Sequence, residues 1–223
     1  MHTEVIVPRR SFLSRLAVGL AAVGAVTGVT AALPVVATAE SPGDEMDRWF
    51  GSMKGTYKAI YDCTGVSAAA GGVGFARNLL KFSADKLGTK DTDNSIVVCF
   101  RHFATPFGYN DAMWAKYPAM AAALKAEDPK TKLPATRNWL LHELWLEQPG
   151  TDIPSVVAHG VQFSICGAAT EFISKLLAGT TGDAKQIESD LSGNLIAGAK
   201  MAPAGVVALQ RAQKAGFAYT YSE

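Results

Sequence analysis

The segment Ser95–Phe100 constrains the fold more than any other part of the chain. It reads Ser-Ile-Val-Val-Cys-Phe, a continuous apolar run rich in β-branched residues. A run of this kind is typical of a parallel strand whose two faces are both covered by helices. Strands alternate with helices on both sides of it. We therefore predict an α/β fold, a three-layer α/β/α sandwich with a mainly parallel sheet of about five strands.

Two stretches interrupt this alternation. Residues 65–74 are rich in Gly and Ala and are predicted to form a loop, although their glycines lack the spacing of a phosphate-binding loop. Residues 125–152 are interpreted as an insertion with one short helix, which acts as a lid or as an oligomer contact. The other predicted strands are 56–62, 161–165, 195–201 and 217–221, and the predicted helices are 75–87, 111–124, 153–158, 168–177, 183–191 and 203–214.

The first residues resemble an export signal. Arg9 and Arg10 precede a moderately apolar run over 16–36, and Ala-Thr-Ala follows at 37–39. Paired arginines, an apolar run and a small-x-small site are typical of a twin-arginine signal peptide. A transmembrane anchor is the alternative, but anchors contain more Leu, Ile and Phe than this Ala- and Gly-rich run.

The signal sets the expected domain organisation. We predict a signal peptide at 1–39, an N-terminal arm at 40–55 and a single domain at 56–223, which includes the insertion. The twin-arginine route exports folded proteins, so the expected location is the periplasm or another site outside the cytoplasm. No second apolar stretch is long enough to span a bilayer, so we expect no membrane contact after the signal is removed.

Charge and composition exclude several classes of protein. The chain has 21 Lys and Arg against 20 Asp and Glu, which is not the charge balance of a nucleic-acid-binding protein. Its three cysteines allow at most one disulfide within the chain. After residue 39 the only histidines are His102, His142 and His159, too few for a multi-histidine metal cage, and no c-type haem motif occurs. The sequence identifies no cofactor.

Four residues that can carry chemistry follow predicted strands. Cys63 follows the first strand, Arg101 and His102 follow the second, and Cys166 follows the third. Ligands of open α/β sheets bind beyond the carboxyl ends of the strands. Cys166 also precedes a helix, whose N-terminus favours a thiolate, and Gly167 beside it lets a substrate approach the backbone. The alternative for Cys166 is a small buried core residue.

The other candidates have open interpretations. Cys63 either faces Cys166 and forms a reversible disulfide or resolves a persulfide, or it is a passive residue at the strand end. His102 beside Arg101 binds an anion, acts as an acid or base, or ligates a metal, unless nearby backbone satisfies it. Cys99 lies within an apolar strand and is predicted to be inert. His142 and His159 are predicted to be structural.

Three motifs resemble the DsrE/DsrF-like family. They are Gly-Val-Gln-Phe-Ser-Ile-Cys-Gly at 160–167, Leu-Ile-Ala-Gly-Ala-Lys-Met-Ala-Pro-Ala-Gly-Val at 195–206, and Gln-Lys-Ala-Gly-Phe-Ala-Tyr at 213–219. In order and spacing they are similar to that family's cysteine strand, Pro-Ala-Gly-Val helix start and Gly-aromatic last strand. The resemblance covers roughly residues 55–221 without the insertion, and it implies a DsrE-like α/β fold that forms a homo-oligomer.

The resemblance also implies a function. In the family's best-known members, which are cytoplasmic, a cysteine at the position of Cys166 carries persulfide sulfur between proteins. We therefore expect an exported thiol-based sulfur carrier or sulfurtransferase-like protein, with Cys63 or His102 assisting and with a sulfur-donor or redox protein as partner. The alternative is a non-enzymatic module that binds a ligand, a metal or a redox cofactor. Export in complex with a partner that explains the signal is a third option.

Overall fold

A parallel sheet of five strands organises the molecule, as seen in a computed structural model that describes residues 41–222, except for the side chains of residues 42–44 and 145. The strands are β1 (Tyr57–Cys63), β2 (Asn94–Phe100), β3 (Gln162–Cys166), β4 (Ala199–Ala202) and β5 (Ala218–Ser222). They lie in the order β4-β3-β2-β1-β5, and every neighbouring pair is parallel. The prediction of an α/β sandwich is confirmed, and the strand predicted from Ser95–Phe100 is the central β2.

Helices cover both faces of the sheet. They are α1 (Pro42–Ser52), α2 (Val66–Leu87), α3 (Asp111–Lys116), α4 (Ala119–Ala123), α5 (Ile153–Ala158), α6 (Gly167–Ala178), α7 (Ala184–Gly193) and α8 (Gly205–Lys214). Short 3₁₀ turns occur at Asp91–Asp93, His102–Gly108, Trp139–Leu141 and Trp145–Glu147. In this part of the chain no helix is both long enough and apolar enough to cross a membrane.

The strand register decides which side chains share a face. Asp62, Cys99 and Ser164 lie side by side across β1, β2 and β3, and Cys63, Phe100 and Ile165 form the next row. Successive strand residues point to opposite faces, so these two rows belong to different layers of the core. The first face packs against α1 and α8, and the second packs against a larger set that includes α2.

The segment predicted to be an N-terminal arm contains a packed helix. Met46, Phe50 and Met53 are almost completely buried beside Phe217, and α1 contacts α8. Their spacing of four and three residues is that of one helix face. The polar residues and the glycine between them hid this pattern in the sequence. The predicted signal peptide at 1–39 lies outside the described residues.

The Gly/Ala-rich stretch predicted to be a loop belongs to α2. Gly71, Gly72 and Gly74 are all buried, and Gly72 faces the thiol of Cys63 so closely that an added Cβ would lie 2.3 Å from Sγ. Glycine weakens an isolated helix by about 1 kcal/mol. Here close packing of the helix on the sheet outweighs that cost, which local sequence preference does not reveal.

The insertion is held in the core, although no α-helix forms within it. Trp139 and Leu140 are buried, and the Trp139 ring packs edge-on against Phe107, with 5.2 Å between ring centroids. The Asn138 side chain donates to the carbonyls of Phe107 and Tyr109 at 2.9 and 2.8 Å. These contacts fix the middle of the insertion against the 3₁₀ turn that follows β2. The short helix predicted there is a 3₁₀ turn instead.

Candidate functional site

Cys166 lies where two helices begin. It is the last residue of β3 and the N-cap of α6, and its Sγ accepts a hydrogen bond from the Ala169 backbone N–H at 3.4 Å. The N–H of Gly205, the first residue of α8, donates to the same sulfur at 3.1 Å. The N-terminal ends of helices carry partial positive charge. Two such ends therefore converge on one sulfur atom and stabilise negative charge there.

Gly205 makes this convergence sterically feasible. A Cβ at that position would lie 2.6 Å from Cβ of Arg101 and 2.9 Å from its Cδ. Because glycine has no Cβ, α8 can begin close enough to the sheet for its first N–H to reach Cys166. The Gly205 carbonyl also accepts a hydrogen bond from the buried thiol of Cys99 at 3.9 Å. The backbone of Gly205 thus contacts both thiols, Cys166 through its N–H and Cys99 through its carbonyl.

A buried carboxylate holds Arg101 beside this sulfur. Arg101 follows β2, and its Nε and Nη2 donate to the two oxygens of Asp62 at 2.6 and 2.9 Å. The Tyr219 hydroxyl donates to Asp62 Oδ2 at 2.9 Å. Asp62 is fully buried, whereas about a quarter of the Arg101 side chain is exposed (27%). Hydrogen bonding to Asp62 raises the pKa of Arg101 above its ordinary value.

Asp62 and Tyr219 were missed in the sequence analysis. Asp62 is the penultimate residue of β1, which is otherwise apolar at its centre, and a buried carboxylate needs a cationic partner. Arg101 follows the neighbouring strand, so this pair was detectable from the sequence. Tyr219 had no comparable signal, because its role depends on β5 pairing with β1 rather than with another strand.

A cavity of about 380 Å³ opens in front of Cys166. The residues that line it include Cys166, Arg101 and His102, which carry polar or ionisable side chains. Its apolar walls come largely from Phe103, Leu124, Phe172, Ile173 and Val206. The Cys166 side chain reaches this cavity although the residue is only 7% exposed.

His102 joins Arg101 and Cys166 at this cavity, as the order of the strands predicts. Its backbone has a positive φ of 55°, which is uncommon for a residue other than glycine, and such strain is concentrated at functional sites. The exposed ring packs on Phe103, with 4.3 Å between the ring centroids, and its nitrogens have no hydrogen-bond partner between residues 41 and 222. Both ring nitrogens are therefore available to a ligand in this cavity.

Cys63 does not belong to this site, which corrects the prediction that it faces Cys166. It is fully buried on the opposite face of the sheet, and β2 separates its strand from that of Cys166. All three cysteines are free thiols. Burial raises the pKa of both Cys63 and Cys99 well above the ordinary value. Both are therefore neutral, inaccessible thiols.

Gly167 also differs from its predicted role. It is not among the residues that line the cavity in front of Cys166. A Cβ at Gly167 would lie 2.7 Å from the Ala202 carbonyl oxygen and 3.0 Å from that of Pro203. The glycine is therefore required by the backbone that leaves β4 rather than by the approach of a substrate.

His142 and His159 pair with carboxylates at the surface. His142 Nε2 lies 2.6 Å from Asp111 Oδ2, and His159 Nδ1 lies 2.8 Å from Asp91 Oδ2. Across the described residues there is no group of three or more His, Cys, Asp and Glu side chains that could hold a metal ion.

Comparisons of the chain with protein-family models, with curated proteins and with solved structures found no match.

The packing of Cys63 against α2 gives a stability prediction. We expect Gly72→Ala to lower the free energy of unfolding by roughly 2 kcal/mol, since the new methyl group overlaps the thiol. Adding Cys63→Ala to this variant should restore most of the loss, because it removes the atom that blocks the methyl group. Denaturant unfolding of the single and double variants measures both effects.

Gly51→Ala is the matched control, since an added Cβ there meets no atom within 4 Å. It should be neutral or slightly stabilising. Equal effects of Gly72→Ala with and without Cys63→Ala would contradict the assignment of Cys63 to helix packing.

Proposed function

We propose that this protein is a thiol-based sulfur carrier or sulfurtransferase-like protein in which Cys166 accepts sulfane sulfur. The observation that carries the proposal is the pair of backbone N–H groups, from Ala169 and Gly205, that donate to Sγ at the wall of an open cavity. Thiolates are the nucleophilic form of cysteine, and electropositive, partly accessible surroundings favour them. The sequence motifs around Cys166 and the DsrE/DsrF-like resemblance support the same role.

The proposed step needs no external oxidant. The Cys166 thiolate attacks the outer sulfur of a sulfane donor, and the S–S bond of the donor breaks as the new one forms. The donor leaves with the bonding electron pair, as sulfite when thiosulfate is the donor. Cys166 then carries a persulfide, whose terminal sulfur is anionic and remains close to the helix N-termini. Arg101, fixed by Asp62, offers further positive charge to the donor or the leaving group.

Intact-mass spectrometry after incubation with a sulfane-sulfur donor tests this function. Wild-type protein should gain the mass of one sulfur atom, and Cys166→Ser should gain none. Cys99→Ala is the matched control, because Cys99 is fully buried and should not accept sulfur. An equal gain in Cys166→Ser and in wild type, or no gain in wild type, would refute the proposal.

A second function, a non-enzymatic ligand-binding module, is favoured by the apolar walls of the cavity. Phe103, Phe172 and Val206 line it, and all three are exposed. Native mass spectrometry of protein purified from its own host separates the two functions. A bound small molecule on a protein that never gains sulfur would support the binding module.

The paired arginines at Arg9 and Arg10 support a location outside the cytoplasm, so we include export in the proposal. A sulfur-donor or redox protein is then the proposed partner, and self-association is proposed from the family resemblance. N-terminal sequencing of exported protein tests the signal: a mature chain that begins near Glu40 is expected, and one that retains Arg9 and Arg10 would contradict it.

A further inference from the structure

The cavity beside Cys166 has two chemically different ends. Cys166 and Arg101 provide the polar end, together with the backbone N–H groups in the first turn of α8. The side chains of Phe172 and Val206 belong to the apolar walls, and these residues are 58% and 61% exposed. A cavity of about 380 Å³ falls within the range of small-molecule sites, which combine apolar walls with a few placed polar groups.

The polar end has unused hydrogen-bond donors. Arg101 binds Asp62 through Nε and Nη2, and its Nη1 has no partner within the described part of the chain. The N–H of Val206, in the first turn of α8, has no acceptor among the same residues. A guanidinium and a helix N-terminal N–H are both suited to an anion. Because Asp62 and Tyr219 fix the guanidinium, the anion site is formed before the ligand arrives.

From this arrangement we infer that the cavity takes a small organic anion with an apolar body, and that the donor of Cys166 is an organic thiosulfonate or persulfide of this kind. The donor part of the inference rests on the proposed function. An inorganic ion such as thiosulfate offers no apolar surface to Phe172 and Val206 and leaves most of the cavity to water. An aryl or branched alkyl group covers these side chains and places the anionic sulfur beside Arg101 and Cys166.

The transfer balances without another reactant. The Cys166 thiolate attacks the outer sulfur of an aryl thiosulfonate, and a new S–S bond forms on Sγ. The bond between the outer sulfur and the sulfonyl sulfur breaks, and its electron pair leaves with the aryl sulfinate. The aryl sulfinate is also an anion with an apolar body, so it is compatible with the same cavity. It is released as the product.

The test separates binding from transfer. Cys166→Ser is titrated calorimetrically with benzenesulfonate, which has no transferable sulfur, and with methanesulfonate, which has the same head group but little apolar surface. We expect benzenesulfonate to bind at least about tenfold more tightly, the discrimination typical of an apolar pocket. Phe172→Ser in this background should remove most of the preference, and Arg101→Gln should weaken both ligands.

Phe82→Ser is the matched control, since Phe82 is about as exposed as Phe172 but lies on α2 outside the cavity. It should leave both affinities unchanged. Equal binding of the two sulfonates, or a preference that survives Phe172→Ser, would overturn the inference.

Wild-type protein is then supplied with benzenethiosulfonate or thiosulfate, and its mass gain is followed over time. Faster gain from benzenethiosulfonate supports the donor class. Equal mass gain from both donors is consistent with the proposed function but overturns the inference that the donor is an organic anion. If benzenesulfonate binds selectively but the protein gains no sulfur, the inference of an organic-anion site stands and the proposed sulfur transfer is refuted.

Discussion

Replacing Cys166 by Ser should abolish the reaction of the native protein with a thiol-specific probe at mildly acidic pH. Cys63 and Cys99 are fully buried, and burial raises the pKa of both thiols, so both stay protonated and inaccessible at this pH. Cys166 reaches the cavity, and two backbone N–H groups donate to its sulfur. Labelling of wild-type protein should therefore stop after one thiol, as counted by mass spectrometry.

Two controls complete this experiment. Cys99→Ala should label at the wild-type rate, and unfolded wild-type protein at mildly alkaline pH, where ordinary thiols ionise, should label at all three cysteines. Persistent labelling of folded Cys166→Ser would show that another thiol is the reactive one. Failure of wild type to label while folded would show that Cys166 is a core residue.

Replacing Asp62 by Asn should lower the free energy of unfolding by about 2 kcal/mol, in line with the loss of hydrogen bonds to a charged group. Asp62 is fully buried and accepts hydrogen bonds from Arg101 and from Tyr219. The neutral amide loses the attraction to the guanidinium, and its NH₂ group cannot accept from either donor. The loss stays moderate because Arg101 is partly exposed and water solvates it once it is released. Denaturant unfolding measures the change.

Asp85→Asn is the matched control for this prediction. Asp85 pairs with Lys81 one helical turn away on α2, with both side chains nearly half exposed. Exposed pairs of this kind contribute about 0.5 kcal/mol or less. Asp62→Asn should also raise the KM for a sulfane donor more than it lowers kcat, because Arg101 is no longer fixed at the cavity. Equal destabilisation by the two substitutions would contradict the role of Asp62.

Much of the architecture was predictable because the pattern of apolar residues is strong where the sheet is buried. Ser95–Phe100 forms β2, and the strand–cysteine–helix order at 161–177 appears as β3 and α6 with shifts of one residue. The failures occur where tertiary contacts outweigh local preference. The glycines of α2 are helical because the helix packs tightly on the sheet, and α1 is stabilised by burial of Met46 and Phe50.

The candidate site was predictable only in part. Topology correctly placed Cys166, Arg101 and His102 at one edge, because the carboxyl ends of parallel strands meet there. Cys63 also ends a strand, but alternation points its side chain to the opposite face. The contribution of Gly205 and Val206 depends on how α8 approaches β3, a long-range arrangement without a local signal in the sequence.

Mapping the site of sulfur addition is the most direct test of the central claim. Protein loaded with a sulfane donor is alkylated and digested, and each cysteine peptide is examined by mass spectrometry. We expect the added sulfur on the Cys166 peptide alone, and we expect cyanide treatment before alkylation to remove it as thiocyanate and regenerate the thiol. Sulfur on the Cys63 or Cys99 peptide, or on none of the three, would contradict it.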